Sequence, residues 1–308
     1  MNQKTALVTG AFGAVGRYVS SALAGRGYAV IGLGHGSWSL DQQRRFGLER
    51  WVEGDVSLAN LGQLEAKPSL IVACAGGSSV GASVNAPYLD FQRTVNATVA
   101  ILEFMRLQCP EAALVYPSSA AAYGVVEQLP IREDSPLCPS SPYGVHKKIA
   151  EEIIAEYSRF FGLKTIVVRL FSVYGEGFCK QLLWDACHRI AANETTFFGT
   201  GDETRDWIHA ADAAELLVEA ASYATPTCPI VNGAYGEPVT VRDILTELFR
   251  LMNRGDRPQF SGETRAGDPL HYHADVSKAL AWGWQPRVAW QEGLKRYVSW
   301  FQAEGSSR

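Results

Sequence analysis

Near its start the chain runs Lys4-Thr5-Ala6-Leu7-Val8, a short apolar β-prone stretch. Thr9-Gly10-Ala11-Phe12-Gly13-Ala14-Val15-Gly16 and a helical pattern through Leu23 follow directly. A strand that turns through glycines straight into a helix commits the chain to an α/β unit. In such a unit Gly10 permits the tight turn, Gly13 lets the backbone approach a diphosphate at the helix N-terminus, and Gly16 lets the helix pack closely on the strand. The spacing is GxxGxxG, not GxGxxG, and by itself it leaves open a glycine-rich turn that holds no ligand. Beyond it the pattern keeps alternating. Apolar runs predict strands near 29–33, 51–53, 69–74, 112–117 and 164–171, and 3.6-residue periodicity predicts helices near 88–107 and 143–161. That alternation predicts a doubly wound parallel sheet covered on both faces, the Rossmann arrangement. Past Gly175 the pattern loosens into helices near 180–192, 210–222, 241–252 and 290–302, with a late strand before Asn232.

The second constraint is the run Ser141-Pro142-Tyr143-Gly144-Val145-His146-Lys147. Tyr143 and Lys147 stand four apart on a helix and share a face. An unperturbed tyrosine, with a pKa of about 10, is a poor base near neutrality, but a cation within about 4–6 Å favours the phenolate. A solvated tyrosine above a surface lysine is the other reading of the pair taken alone.

Taken together, the glycine start, Ser118-Ser119-Ala120-Ala121-Ala122-Tyr123-Gly124 and the Tyr143/Lys147 pair resemble an extended short-chain dehydrogenase/reductase of the NAD-dependent epimerase/dehydratase group, which acts on nucleotide sugars. Arg169-Leu170-Phe171-Ser172-Val173-Tyr174-Gly175 is similar to that family's RxFNxYG strand end. Gly199 to Trp207 is similar to its GxGxxxRD(F/W) segment, and Arg265-Ala266-Gly267-Asp268 with Ala281 to Pro286 complete the series in order. The resemblance implies a large dinucleotide domain of 1–174 plus about 206–235, with a smaller nucleotide-sugar domain of about 175–205 plus 236–308 interleaved with it. It implies Ser119, Tyr143 and Lys147 as the catalytic group, with Ser118 able to share the serine's role and Lys147 also bonding the nicotinamide ribose. Gly10, Phe12, Gly13, Ala14, Val15, Gly16, Asp55, Val56, Ala75 and Gly76 become cofactor residues. Ser79, Ser172, Arg205, Arg265 and Asp268 become substrate residues, the two arginines as diphosphate ligands. Phe197 and Phe198 either flank a nucleobase or belong to strand core. Two-fold homodimers built on the helices near 88–107 and 143–161 are also implied, and those helices carry apolar positions beyond one stripe, among them Val95, Val99, Ile101, Leu102, Phe104, Ile149, Ile153, Ile154, Tyr157 and Phe160.

Departures from the family pattern narrow the expected reaction. Its 4,6-dehydratases place Asp-Glu after the serine to protonate a leaving hydroxyl and to take a proton from C5, whereas this chain has Ala120-Ala121. Hydride transfer at C4 of a nucleoside-diphosphate hexose remains, either as 4-keto-sugar reduction, the reading favoured here, or as 4-epimerisation with bound NAD. Dehydration, decarboxylation and a non-catalytic dinucleotide-sensing regulator stand behind them. The second strand ends Ile31-Gly32-Leu33-Gly34-His35-Gly36-Ser37. No carboxylate stands where one would bond the ribose 2′-hydroxyl of NAD and repel the phosphate of NADP. NADP(H) is therefore expected over NAD(H), with His35 and Ser37 as donors. Ser172 replaces the family's usual Asn, which puts a sugar contact there in doubt.

Composition excludes more than it assigns. The 28 basic and 32 acidic residues contain no basic block, so nucleic acid is not an expected partner. Six cysteines without a CxxC pair argue against a zinc site or redox dithiol and fit a reducing cytoplasm. His209 and Asp212 make no metal site at their spacing and read as structural. A strand that begins almost at once leaves no room for a signal peptide, and no apolar run reaches membrane-spanning length.

Overall fold

The computed structural model describes residues 3–263 and 270–305, so Arg265 and Asp268 lie outside the described residues. In chain order the elements begin with β1 (Thr5–Thr9), α1 (Ala14–Gly25), β2 (Ala29–Gly34), α2 (Leu40–Arg45), β3 (Leu48–Glu53), α3 (Leu58–Gly62) and β4 (Leu70–Ala73). Then come α4 (Val80–Asn85), α5 (Pro87–Phe91), a π-turn at Gln92–Asn96 that runs into α6 (Ala97–Gln108), β5 (Ala113–Ser119), a 3-10 turn at Ala120–Ala122, α7 (Pro142–Phe161) and β6 (Lys164–Leu170). The remainder is β7 (Ser172–Tyr174), α8 (Gln181–Ala191), β8 (Thr196–Phe197), β9 (Thr204–His209), α9 (Ala210–Ala220), β10 (Ile230–Gly233), β11 (Pro238–Thr240), α10 (Val241–Leu251), β12 (Gln259–Phe260), α11 (Ser277–Ala281) and α12 (Trp290–Trp300). The chain divides into two compact units, the first 1–124, 136–170 and 214–231, the second 125–135, 171–213 and 232–308. Residues 125–135, 171–174, 206–213 and 232–235, grouped with the dinucleotide domain on sequence, pack in the second unit.

Seven strands in the order β10-β6-β5-β4-β1-β2-β3 form the main sheet. The pairs β1–β2, β1–β4, β2–β3, β4–β5 and β5–β6 are all parallel. Leu7, Ile31, Ile71, Leu114 and Val167 from neighbouring strands close one core with Leu102, Phe104 and Ile154 of the covering helices. β1 lies between β2 and β4, so the strand order reverses there, and a crevice opens beyond the carboxyl ends of β1 and β4. The helix expected at 88–107 is interrupted by the π-turn, and α2, α3 and α4 are short helices that periodicity did not show.

Local chemistry fixes α7. Ser141 caps it by accepting from Gly144 N at 3.2 Å, Pro142 occupies the first turn, and Gly162 ends it at φ 70°. Gly144, Lys147, Ala150, Glu151, Ile154 and Ser158 face inward at helical spacing. The stripe carries two charged groups, and one meets its counterion from β6, where Arg169 Nη2 lies 2.7 Å from Glu151 Oε2 with both side chains about 95% covered. Ser118 of β5 donates to the other carboxylate oxygen of Glu151, and the Arg169 guanidinium lies 4.6 Å from the Tyr123 ring centroid. Half of the apolar positions that suggested a dimer seam are consumed inside the protomer: Val95, Ile101, Leu102, Phe104 and Ile154 are buried, and Ile153 and Tyr157 are partly buried against the same core. Exposed apolar residues on or near these helices include Tyr88, Leu89, Leu107, Val145, Phe160 and Phe161.

In the second unit β11, β9 and β7 form one sheet and β12 pairs with β8. α8, α10 and α12 bury Leu183, Ile190, Leu245, Leu248, Phe249, Leu294 and Tyr297 around Trp207 and Phe197. Asp206 of β9 accepts from the backbone amides of Tyr235, Gly236 and Ala274 at 2.8–3.2 Å, and burial pushes its carboxyl up to about 6. No helix among the described residues is long and apolar enough to cross a membrane.

Removing Glu151 would leave the Arg169 charge buried without its partner. Glu151→Ala is expected to destabilise the protein by about 3–5 kcal/mol, the usual cost of breaking a buried pair from one side. Urea denaturation checks it, and a loss below about 1 kcal/mol would show that the pair does not anchor α7.

Candidate active site

The candidate catalytic turn lies in the first unit and is built by close approach of backbone to backbone. A Cβ at Gly144 would stand 2.3 Å from the Ala121 carbonyl oxygen, so only glycine lets α7 touch the 120–122 turn. That contact brings Tyr143 to Ser119, whose hydroxyl hydrogen-bonds the phenol. Ser119 also accepts from Ala121 N at 3.2 Å, and Tyr143 N donates to Ser83 Oγ at 3.0 Å. Ser118 points the other way, into the Glu151 carboxylate, so the serine beside Tyr143 is Ser119. Ala120 and Ala122 are buried, and the turn presents no carboxyl group.

Lys147 does not reach the phenol. Its Nζ donates to the Pro117 carbonyl at 2.9 Å and lies 5.9 Å from the Tyr143 ring centroid. Burial lowers its pKa to about 8 against the opposing pull of Glu151, Cys74 and Asp90. Tyr143 is shifted the other way from the sequence expectation: burial raises its pKa, the Ser119 hydrogen bond lowers it less, and Asp90 raises it further. Desolvation of a phenolate outweighs a cation held at the edge of effective range. The site therefore holds a neutral phenol and a lysine that is still largely protonated at neutral pH, an arrangement suited to passing one proton to or from a substrate oxygen.

Beside this turn runs the crevice of β1 and β4. Gly10 sits at φ +67°, and a Cβ there would come within 2.6 Å of Ala75 N, so the two turns lie against each other. Gly13 is the N-cap of α1 without a side-chain acceptor, leaving the first-turn amides for an anion. A Cβ on Gly76 would lie 3.7 Å from both Lys147 Nζ and Thr94 Oγ1, and Gly77 N donates to Thr94 Oγ1 at 2.9 Å. Sequence reasoning missed Thr94, since a lone helix threonine carries no signal. At the other end of the crevice His35 Nε2 stands 2.7 Å from Asp55 Oδ1, both groups exposed. A carboxylate from beyond β3 thus stands at the end of β2. Ser37 is exposed and Phe12 packs edge-on against Trp38, ring centroids 5.4 Å apart. Ala14 and Val15 open α1, and Val56 is half-buried after Asp55. Ser79 serves as the N-cap of α4, accepting from Ala82 N at 3.2 Å.

The second unit has its own cavity of about 430 Å³, lined by Ser172, Lys180, Phe198, Arg205, Trp207 and Leu270 among others. Arg205 donates to the carbonyls of Thr204 and Leu270 and lies 5.8 Å from the Tyr272 ring. The adjacent phenylalanines separate: Phe197 is core, packed near Phe249, while Phe198 is 44% exposed and lines the cavity. Lys180, at the N-cap of α8, was not singled out from the sequence. The buried indole N–H of Trp207 finds no acceptor among the described residues. His209 bonds Glu176 at 3.0 Å, and Asp212 accepts from Val288 N.

Comparison with known proteins agrees with this geometry. The sequence profile of the NAD dependent epimerase/dehydratase family matches residues 6–232. The UDP-glucose 4-epimerase of Mycolicibacterium smegmatis is 29% identical over 313 residues, covering 96% of this chain and 98% of that protein. A crystal structure of Thermotoga maritima UDP-glucose 4-epimerase with UDP-glucose is 26% identical, covers 97% of this chain and 99% of its own, and superposes with a TM-score of 0.88. Thermus thermophilus UDP-glucose 4-epimerase in complex with NAD is 26% identical at the same coverage, with a TM-score of 0.86.

The raised Tyr143 pKa can be measured directly. A tyrosinate absorbance titration of the ligand-free protein minus that of Tyr143→Phe is expected to place this phenol's midpoint above 10. A midpoint near neutrality would show that Lys147, not burial, governs it.

Proposed function

Because the chain belongs to the NAD dependent epimerase/dehydratase family, we propose that it is a nucleoside-diphosphate-hexose 4-epimerase that keeps its dinucleotide bound through turnover. The observation that carries this reading is the Ser119-Ala120-Ala121 turn against Tyr143. It offers one hydroxyl, one phenol and no carboxyl group, which equips it for proton exchange at a single sugar oxygen and not for eliminating a second one. The uncapped amides of α1 and the approach of Gly10 to Ala75 fit a dinucleotide. A bound nicotinamide supplies a hydride acceptor and, when oxidised, a positive charge.

In this reading Tyr143, its own proton lost to solvent once an oxidised dinucleotide adds positive charge to the site, would take the proton from the C4 hydroxyl as hydride leaves C4, and would return it to the same oxygen when hydride is delivered to the opposite face. Ser119 holds the C4 oxygen against Tyr143, and Lys147 orients the ribose. The 4-ketoreductase reading uses the same groups but requires the dinucleotide to leave oxidised. Two things place it second: the relatives are 4-epimerases, and Asp55 beside His35 weakens the ground for preferring NADP(H). NAD(H) is accordingly the proposed cofactor, and a cytoplasm that keeps thiols reduced the proposed compartment, all six cysteines being free.

The cavity of the second unit is the proposed seat of the nucleoside diphosphate, with Phe198 against the base and Arg205 on a phosphate. We also propose a homodimer through the faces that carry Tyr88, Leu107, Phe160 and Phe161. A mass of one chain by light scattering at micromolar concentration would contradict the dimer.

Two measurements test the remainder. Denaturing the purified protein should release NAD, and the protein should interconvert the C4 epimers of a UDP-hexose without added dinucleotide, with activity falling as pH rises through about 8, where Lys147 loses its proton. Stoichiometric consumption of NADPH by a 4-keto sugar would instead establish the reductase. Arg205→Ala should weaken UDP-sugar binding by about 1.5–3 kcal/mol, the range for a charge-assisted bond, and unchanged affinity by calorimetry would return Arg205 to a structural role.

A further inference from the structure

Beneath the catalytic turn lies a second buried pair that the reaction as described does not use. His146 stands at i+3 from Tyr143 on α7, and its Nδ1 lies 2.6 Å from Asp90 Oδ2 of α5. Both residues are more than nine-tenths buried, and Phe91 covers the imidazole edge-on, ring centroids 5.4 Å apart. Asp90 also reaches the crevice. A Cβ on Gly77 would stand 1.9 Å from Asp90 Oδ1, so glycine is required where this carboxyl group meets the turn after β4. One side chain thus touches both the helix that carries Tyr143 and the turn that lines the proposed dinucleotide site.

We infer that Asp90, held by His146, is a positioning residue that sets how readily Tyr143 gives up its proton. The physical ground is simple. A buried carboxylate near a half-buried phenol opposes the appearance of a second negative charge, and in a poorly solvated site little screens the two. Burial raises Tyr143 most, and Asp90 is the charge that raises it further; together with Glu151 and Cys74, Asp90 also supports the positive charge of Lys147. The other groups around Tyr143 do not substitute for it: Ser119 and Tyr116 come from β5, Cys74 from the end of β4, and Glu151 is tied to Arg169 and Ser118. The imidazole donates to Asp90 through Nδ1 and fixes the carboxyl group's orientation, so it acts through Asp90 and not on substrate.

The inference rests on the proposed acid/base role of Tyr143, and its test separates the two. The tyrosinate difference titration of Tyr143 is repeated in Asp90→Asn, which keeps size and an acceptor for His146 while removing the charge. The midpoint should fall by at least half a pH unit, about threefold in proton affinity. The acid limb of the kcat profile for epimerisation should move down by a similar amount. A purely structural pair would lower kcat or stability at every pH and leave both midpoints in place, and that result overturns the inference. If the asparagine variant does not fold, Asp90→Thr, smaller and also uncharged, carries the same expectation and the same refutation. His146→Gln, which still donates to Asp90, should keep the wild-type midpoint within half a unit, and a fall as large as in Asp90→Asn would overturn the view that the charge resides on Asp90. Loss of epimerase activity alone, with the titration midpoint shifted as expected, would count against the proposed reaction and not against this role of Asp90.

Discussion

The ion pair between Glu151 and Arg169 holds α7, the helix that carries Tyr143 and Lys147, in place. Two opposite charges removed from water attract strongly, yet each also costs desolvation energy, so such a pair persists only where hydrogen bonds satisfy what remains. Here Ser118 completes the carboxylate, and the Tyr123 ring covers the guanidinium. The network ties α7 to β5 and β6, and the same two strand ends carry Ser119 and lead into Ser172. Once α7 is fixed in this way, the glycine contact at Ala121 leaves Tyr143 no place but against Ser119.

That placement also explains the electrostatics. A helix face that must bury Lys147 and Glu151 in one stripe creates a poorly solvated pocket, and desolvation then dominates the proton affinities within it. Lys147 is driven down and Tyr143 up. The two shifts drive the groups' proton affinities apart and make the lysine the more acidic of the pair, whereas attraction between a phenolate and an ammonium would have separated them in the opposite sense. In the proposed reaction that neutral phenol becomes a base only when further positive charge arrives. An oxidised dinucleotide, in the reading proposed here, brings that charge together with the hydride acceptor.

Much of this was legible in the sequence, and the exceptions are instructive. The glycine turn, the parallel strands and the Tyr143/Lys147 face follow from short-range rules of turn, period and helix spacing, and they were read correctly. The His35–Asp55 contact was not, because it joins the ends of two adjacent strands, twenty residues apart in sequence, and no local pattern announces it. Phe197 and Phe198 could be assigned only as alternatives, since strand alternation says that one faces in but not which. The apolar residues of α6 and α7 looked like surplus because periodicity counts residues and not the neighbours that cover them, and Ile101, Leu102, Phe104 and Ile154 are core. Asp90 and His146 lie fifty-six positions apart and meet only in the fold.

The central claim is that one bound dinucleotide removes and restores the hydrogen at C4 of the same sugar. A UDP-hexose deuterated at C4, incubated with the purified protein and no added dinucleotide, tests it most directly by mass spectrometry and NMR of the product. The account predicts a C4 epimer that retains its deuterium at C4. Deuterium lost to solvent, or a product formed only when external NADPH is supplied and carrying that reagent's hydrogen at C4, would contradict it.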